Sequence, residues 1–391
     1  MTAARPDAAG GPAAASDMAG PLLPRYGEST LADLGQSLLA SLGVPGEPNA
    51  LALPPAARMC LLVIDGLGWD LLAGGRERAP FLAGLMSAGR WLTAGFPATT
   101  VTSLSSLGTG RPPGQHGLAG YQVRVPATGR LLNGLRWDSS VDPVSWQPGQ
   151  TIFERAAAAG VGAYRIARGS FERSGLSVAA MRGADYRAAG TPGALVAQTA
   201  QALDGRARGF AMVYTGDLDG TGHACGCASA AWQYQLRHAD LLAEQLARAL
   251  PPGTALYITA DHGMVDVPSA DRVDADLVTE LRAGVALLGG EPRARHVYAE
   301  PGAAADVLAT WRERLGDAAW VVSREEAVDE GWFGPVDRTV AARLGDVIAA
   351  FRGSSAVVAT IAEPRESALV GMHGSLTQAE QRIPLLSCLA G

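Results

Sequence analysis

Apolar residues along the chain form two patterns: short unbroken runs, and longer stretches at helical spacing. The runs Met59-Cys-Leu-Leu-Val-Ile64, Phe210-Ala-Met-Val-Tyr214 and Ala255-Leu-Tyr-Ile-Thr259 are apolar almost throughout. Strands apolar on both faces belong inside a parallel sheet that is covered on each side. Residues 32–42, 80–89, 151–159, 195–203 and 228–250 read as helices. In the last of these, Trp232, Leu236, Ala239, Leu246 and Leu250 recur at helical spacing. Residues 161–166 give a further strand. Strands alternating with helices predict an α/β fold, a doubly wound, mostly parallel sheet between helix layers.

Elsewhere the pattern is weaker. Residues 118–146 are broken by turn signals and read as short strands and loops over a pocket. From 268 to 361 the strands 297–299, 320–322 and 356–358 and a helix at 304–314 suggest a smaller α+β insertion, at about 268–360. Residues 1–30 begin Ala/Gly/Pro-rich and read as a disordered tail, which leaves 31–391 as one catalytic-size domain.

Each buried run stops at residues that carry chemistry. The first ends in Asp65-Gly66. The second runs into Gly216-Asp217-Leu218-Asp219-Gly220-Thr221-Gly222-His223, and the third into Asp261-His262-Gly263. Open α/β sheets bind ligands at the carboxyl ends of their strands. Gly371-Met-His373-Gly374 follows near the C-terminus. The chain has 6 His, and His223, His262 and His373 all lie in these turns. Singly, each is an ordinary turn or surface residue. Together, Asp65, Asp219, His223, Asp261, His262 and His373 form a carboxylate–imidazole set suited to zinc, manganese or iron. Asp217 rivals Asp219. Cys225 and Cys227 beside His223 raise a separate thiolate site, but no second Cys pair exists to complete it.

A hydroxyl-rich stretch, Phe96-Pro-Ala-Thr-Thr100-Val-Thr-Ser103-Leu-Ser-Ser-Leu-Gly-Thr-Gly110, reads as an extended approach to a helix over 102–107. A Thr or Ser at a helix mouth either caps it or, beside an anion held there, attacks; the local residues leave both open. Arg111-Pro-Pro-Gly-Gln-His116-Gly117 reads as a loop.

Composition narrows the chemistry. All 32 basic residues are Arg. Without Lys there is no P-loop, no pyridoxal Schiff base and no kinase chemistry of the usual kind. The net charge of −6 argues against a nucleic-acid-binding surface. No apolar run approaches the roughly 18 residues of a membrane span, and the N-terminus lacks the plan of a signal peptide, so a cytoplasmic protein away from membranes is expected. The 4 Cys are too unevenly spaced for a disulfide framework.

Taken in order, these motifs resemble the alkaline phosphatase superfamily, and within it the nucleotide pyrophosphatase/phosphodiesterase branch. Asp65 matches the first metal Asp, and Phe96 to Gly110 with His116-Gly117 matches the nucleophile segment. Asp219 and His223 fit the Asp-x-x-Gly-His element, Asp261-His262-Gly263-Met264 the Asp-His-Gly-Met element, and His373 the final His. The resemblance implies two divalent metal ions, zinc or manganese. Asp219, His223 and His373 would hold one, and Asp65, Asp261, His262 and the Thr100 oxygen the other. It implies a small phosphorylated substrate, Thr100 as nucleophile, and hydrolysis of a phosphodiester or nucleotide pyrophosphate through a phospho-threonine. Ser103 stands where the branch usually has an Asn that holds a phosphoryl oxygen. A shorter donor there keeps the hydrolase reading but weakens the diester preference, so a phosphonate or phosphomonoester hydrolase is the alternative. A non-catalytic nucleotide-binding member is the alternative of another class.

Overall fold

A computed structural model describes residues 20–391. Seven strands build the central sheet: β1 (Arg58–Ile64), β2 (Arg90–Thr93), β3 (Gly162–Ala167), β4 (Asp185–Ala188), β5 (Gly209–Thr215), β6 (Ala255–Thr259) and β11 (Arg382–Leu389). Their order is β2-β11-β6-β1-β5-β3-β4. β1 pairs parallel with both β5 and β6, while β11 runs antiparallel between β6 and β2. The fold is therefore the doubly wound, mostly parallel sheet that the apolar runs predict. Met59 to Ile64 are completely buried. At about 1.5–3 kcal/mol for each large apolar side chain, that strand anchors the core.

The predicted helices form with shifted ends. The first is Leu31–Ser41, held at its start by the Thr30 N–H and hydroxyl donating to the Asp33 carboxylate. The second stops at Leu85, short of 89, because the chain must turn to pair β2 with β11. Two segments read as loops are helical. Pro113–His116 makes one turn, with proline preset at its start. Asp217–Cys225 is a helix despite its glycines. Gly222 permits packing: a Cβ there would lie 2.4 Å from Met264 Sδ.

The weakly patterned region gives strands β7 (Val285–Glu291), β8 (Ala294–Ala299), β9 (Ala319–Ser323) and β10 (Val347–Phe351). They form an antiparallel sheet ordered β7-β8-β10-β9. Helix Ala304–Leu315 packs on it through Val307, Trp311 and Leu315, against Val297, Val347 and Phe351. A buried ion pair ties this layer to the body: Arg293 donates from Nε and Nη2, each at 2.7 Å, to the two oxygens of Glu380.

The tail expectation needs correction over its second part. Residues 1–19 lie outside the described residues, but from Leu22 onward the chain is docked. Leu22 N–H donates to the Leu376 carbonyl at 2.8 Å. Tyr26 Oη donates to the Trp332 carbonyl and accepts from Phe96 N–H. A buried phenol must spend its donor and acceptor on the protein, and that fixes the segment.

Candidate active site

The sheet order explains how residues far apart in sequence meet. β6, β1 and β5 are neighbours and parallel, so their carboxyl ends lie side by side. Asp65 follows β1, Asp261 and His262 follow β6, and the helix bearing Asp219 follows β5. Asp219 and His223 are four residues apart on that helix, hence on one face, with His223 Nε2 3.3 Å from Asp219 Oδ2. Gly66 makes the junction possible. Its φ is +74°, and a Cβ there would lie 3.1 Å from the Asp219 side chain. His373 follows Gly371–Met372, which pairs with Val265–Asp266 just after the β6 turn.

Two groups of ligand-type atoms result, each with all atoms within 4.8 Å of one another. One is Asp65, Asp261 and His262; the other is Asp219, His262 and His373. His262 thus stands between the groups, 3.3 Å from Asp65 Oδ1 through Nε2, with its ring stacked on His373 at 3.6 Å. Asp217 is not part of either group. It pairs with Arg168 at the surface, which leaves Asp219 as the inward carboxylate. Neither group includes a cysteine.

The imidazoles are oriented alike. His223 Nδ1 lies 2.7 Å from the Gly371 carbonyl, His262 Nδ1 3.0 Å from that of Gly263, and His373 Nδ1 2.9 Å from that of Ala98. A carbonyl only accepts, so each Nδ1 carries the proton and each Nε2 offers a lone pair to the centre. The carboxylates are crowded and underused. Asp65 Oδ1, Asp219 Oδ1 and Asp261 Oδ2 are buried without hydrogen-bond partners. Burial, then the neighbouring Asp219 and Asp261, push the Asp65 carboxyl well up. Asp219 is raised chiefly by burial, and His373 is lowered by burial and then by the other two imidazoles. Buried carboxylate oxygens without hydrogen-bond partners, facing imidazole Nε2 atoms, fit a divalent cation, which would neutralise the repulsion and fill the orphaned oxygens.

Thr100 begins the helix Thr100–Thr109, and the N-cap position belongs to Thr99. The Thr100 hydroxyl therefore has no capping role. It sits 3.3 Å from His262 Nε2 and lines an open cavity of about 420 Å³. Asp65, Asp219, His223 and His373 line the same cavity. Ser103 lies one turn further on, completely buried, with its hydroxyl unpartnered and outside the cavity lining. His116 is remote from this chemistry: it accepts from Leu118 N–H at Nδ1 and donates to Ser106 Oγ.

The cavity also holds residues that the motifs did not indicate. Glu291, at the end of β7, brings a buried carboxyl 3.6 Å from His373 Nδ1; burial pushes it well up. Tyr214 donates to Asp65 Oδ2. Tyr121, Leu135 and Arg136 enter from the segment read as covering a pocket, and Arg165 from β3. The signal for Arg165 is a lone guanidinium inside an otherwise apolar strand. Glu291 has no comparable signal.

Among solved structures, murine ectonucleotide pyrophosphatase/phosphodiesterase 5 superposes with a TM-score of 0.66 at 17% identity, covering 84% of this chain and 87% of that one. The human protein gives 0.66 at 19% identity with the same coverage. Phosphonoacetate hydrolase from Sinorhizobium meliloti 1021, in complex with phosphonoformate, gives 0.65 at 18%, covering 85% and 89%. No curated protein matches the chain in sequence. Over residues 59–376, a span that includes every candidate residue above, the chain matches the type I phosphodiesterase / nucleotide pyrophosphatase family, and it belongs to that family.

Proposed function

We propose that the protein is a metal-dependent hydrolase that cleaves a phosphodiester or nucleotide pyrophosphate bond through a covalent phospho-threonine at Thr100. The observation that supports this reading is the Thr100 hydroxyl itself. It begins the helix at the position after the N-cap, opens on the cavity, and lies beside the two acid–imidazole groups. Asp219, His223 and His373 would hold one divalent cation, and Asp65, Asp261, His262 and Thr100 a second, with zinc or manganese suited to the donors. Bound there, such cations supply charge screening for the phosphoryl group and lower the pKa of a hydroxyl or water.

The chain's own groups do the rest. The Thr100 oxygen forms a bond to phosphorus as the bond to the leaving oxygen breaks. Free N–H groups in the first turn of Thr100–Thr109 favour the phosphoryl oxygens, whereas the Ser103 hydroxyl expected to help hold them lies buried outside the cavity lining. Water then attacks phosphorus and frees Thr100. The Nδ1 bonds to Gly371, Gly263 and Ala98 hold the three imidazoles in place throughout.

Ser103 in place of an amide donor favours the second reading, a phosphonate or phosphomonoester hydrolase. Turnover of an aryl phosphodiester, an aryl phosphate and phosphonoacetate, each with zinc and with manganese, tests both. Fastest cleavage of the diester supports the first reading, and preference for either other substrate supports the second. No turnover of any substrate by metal-loaded protein would leave a nucleotide-binding protein instead.

A further inference from the structure

Arg165 is the least expected residue in the cavity wall. It lies in β3, flanked by Tyr164 and Ile166, and only 4% of its surface is exposed. A guanidinium this deep normally has a carboxylate beside it, because a buried charge without a partner is costly. The other deeply buried Arg side chains obey this: Arg293 pairs with Glu380 and Arg295 with Glu363. Among the described residues no carboxylate pairs with Arg165. Its Nη1 donates to Ser177 Oγ, and its Nε is buried with no partner. Two phenols are its nearest electrostatic neighbours: the guanidinium lies over the Tyr186 ring, and the Tyr214 hydroxyl is already spent on Asp65. Three more Arg residues line the cavity, but Arg136, Arg168 and Arg365 are exposed, and Arg168 is paired with Asp217. Ser174 and Ser177, joined by a hydrogen bond of 2.9 Å, line the cavity next to Arg165.

A planar fork of donors held in a wall, with one arm fixed by a serine and the rest unspent, is suited to a planar or tetrahedral anion. Among the described residues none supplies that anion, and Arg165 lines the cavity. Asp65, Asp219 and His373, from the two candidate cation groups, line the same cavity, and cations held there would take one anionic group, the phosphoryl under attack. We propose that Arg165 receives a second anionic group of the substrate, a carboxylate or a further phosphoryl group, and that the protein selects substrates carrying two such groups. The identity of the first anion rests on the phosphohydrolase reading; the second anion rests on Arg165 alone.

The test measures binding and needs no turnover. Metal-loaded protein in a Thr100→Ala background is titrated calorimetrically with methylphosphonate, which has one anionic group, with methylenediphosphonate, which adds a phosphoryl group, and with phosphonoacetate, which adds a carboxylate. At least one doubly anionic probe should bind about tenfold or more tighter than methylphosphonate, the size of a charge-assisted contact. The probe that does so identifies the second group. Arg165→Gln, which removes the charge and the fork, should bring all three probes to within about threefold of one another, once that contact is lost. A preference that survives Arg165→Gln would come from the cations alone and would overturn the proposal, as would its absence with Arg165 in place. If Arg165→Gln does not fold, Arg165→Lys replaces it: the charge stays and the fork is lost, so the preference must shrink, and an unchanged preference is refuting. The two readings fail separately. Lost turnover with the binding preference intact counts against the hydrolase, and intact turnover without the preference counts against Arg165.

Discussion

Replacing Thr100 by alanine separates a nucleophile from a structural hydroxyl, because the two roles differ in size. The structural loss is small. Thr99 holds the N-cap position, so no cap is removed, and the nearest polar partner of the Thr100 hydroxyl is His262 Nε2 at 3.3 Å. Deleting one methyl and one marginal contact costs about 1 kcal/mol. If that were all, activity would fall by no more than about fivefold, and the melting temperature by a few degrees. Removing an attacking oxygen should instead lower turnover by about a thousandfold or more, equivalent to some 4 kcal/mol of barrier at 1.36 kcal/mol per decade. The assay combines the burst of released aryl alcohol with intact-protein mass after acid quench. Wild-type protein should show a burst and a phosphoryl adduct, and Thr100→Ala neither, with metal content unchanged. Thr100→Ser keeps the oxygen and should keep partial activity. Thr99→Ala is the neighbouring control and should be milder. A Thr100→Ala protein turning over within about tenfold of wild type at full metal content would refute the covalent route; an inactive Thr99→Ala beside it would place the nucleophile one residue earlier.

Three further outcomes follow from the same geometry. Chelation and dialysis should abolish turnover, and zinc or manganese should restore it; full activity in a sample shown metal-free by elemental analysis would contradict the proposed ligand set. Glu380→Gln leaves Arg293 charged and buried with half its partner, and should destabilise the protein by about 3–5 kcal/mol in denaturant unfolding; a loss below about 1 kcal/mol would mean the ion pair does not hold the small sheet to the body. Acid should destabilise through His116 and His296. Burial, aided by Arg343 and Arg111, pushes His116 down to about 3, and burial with Arg324 pushes His296 down to about 4 against a bond to the Ala119 carbonyl. The unfolded chain takes up these protons first, so stability is whole above pH about 6.5 and falls as pH drops towards the folded values, by about 2 kcal/mol per histidine between pH 7 and 5. A His116→Gln, His296→Gln double variant should lose less than wild type over that interval when unfolded in denaturant at each pH.

What sequence could reveal here depended on whether the signal was local. Buried parallel strands announce themselves in unbroken apolar runs, so β1, β5 and β6 were legible, and the polar residues at their ends marked where ligands would bind. Other features depend on partners distant in sequence. β11 contains Pro384 and ends the chain, and it reads as a strand only because β2 and β6 flank it. The helix Asp217–Cys225 is masked by Gly220 and Gly222, which look like turn formers, although Gly222 serves to let Met264 approach. Leu22 to Thr30 looked like tail because nothing local shows that Tyr26 will find the Trp332 carbonyl and Phe96 N–H.

The same distinction explains why the site's ligand-type residues were legible and its walls were not. Asp65, Asp219, Asp261, His262 and His373 are each conspicuous, since a carboxylate or imidazole beside glycine at a strand end breaks a strong pattern. What puts them within a few ångströms of each other is the adjacency of β6, β1 and β5, a property of the sheet and not of any one segment. The rest of the cavity wall comes from four other parts of the chain: Tyr121 and Arg136, Arg165 with Ser177, Glu291, and Arg365 with Glu366. None of these is unusual in its own neighbourhood except Arg165, whose charge sits in a strand buried from Ala163 to Ala167. That exception has a physical cause. A charge is kept inside an apolar strand against its desolvation cost only if something compensates it. In Arg293 and Arg295 the compensation is a glutamate on the same chain. Among the described residues Arg165 has no such glutamate, and it lines the cavity that Thr100 faces. The proposed selectivity is therefore to be sought at β3, in the wall of the cavity that the conspicuous motifs also line.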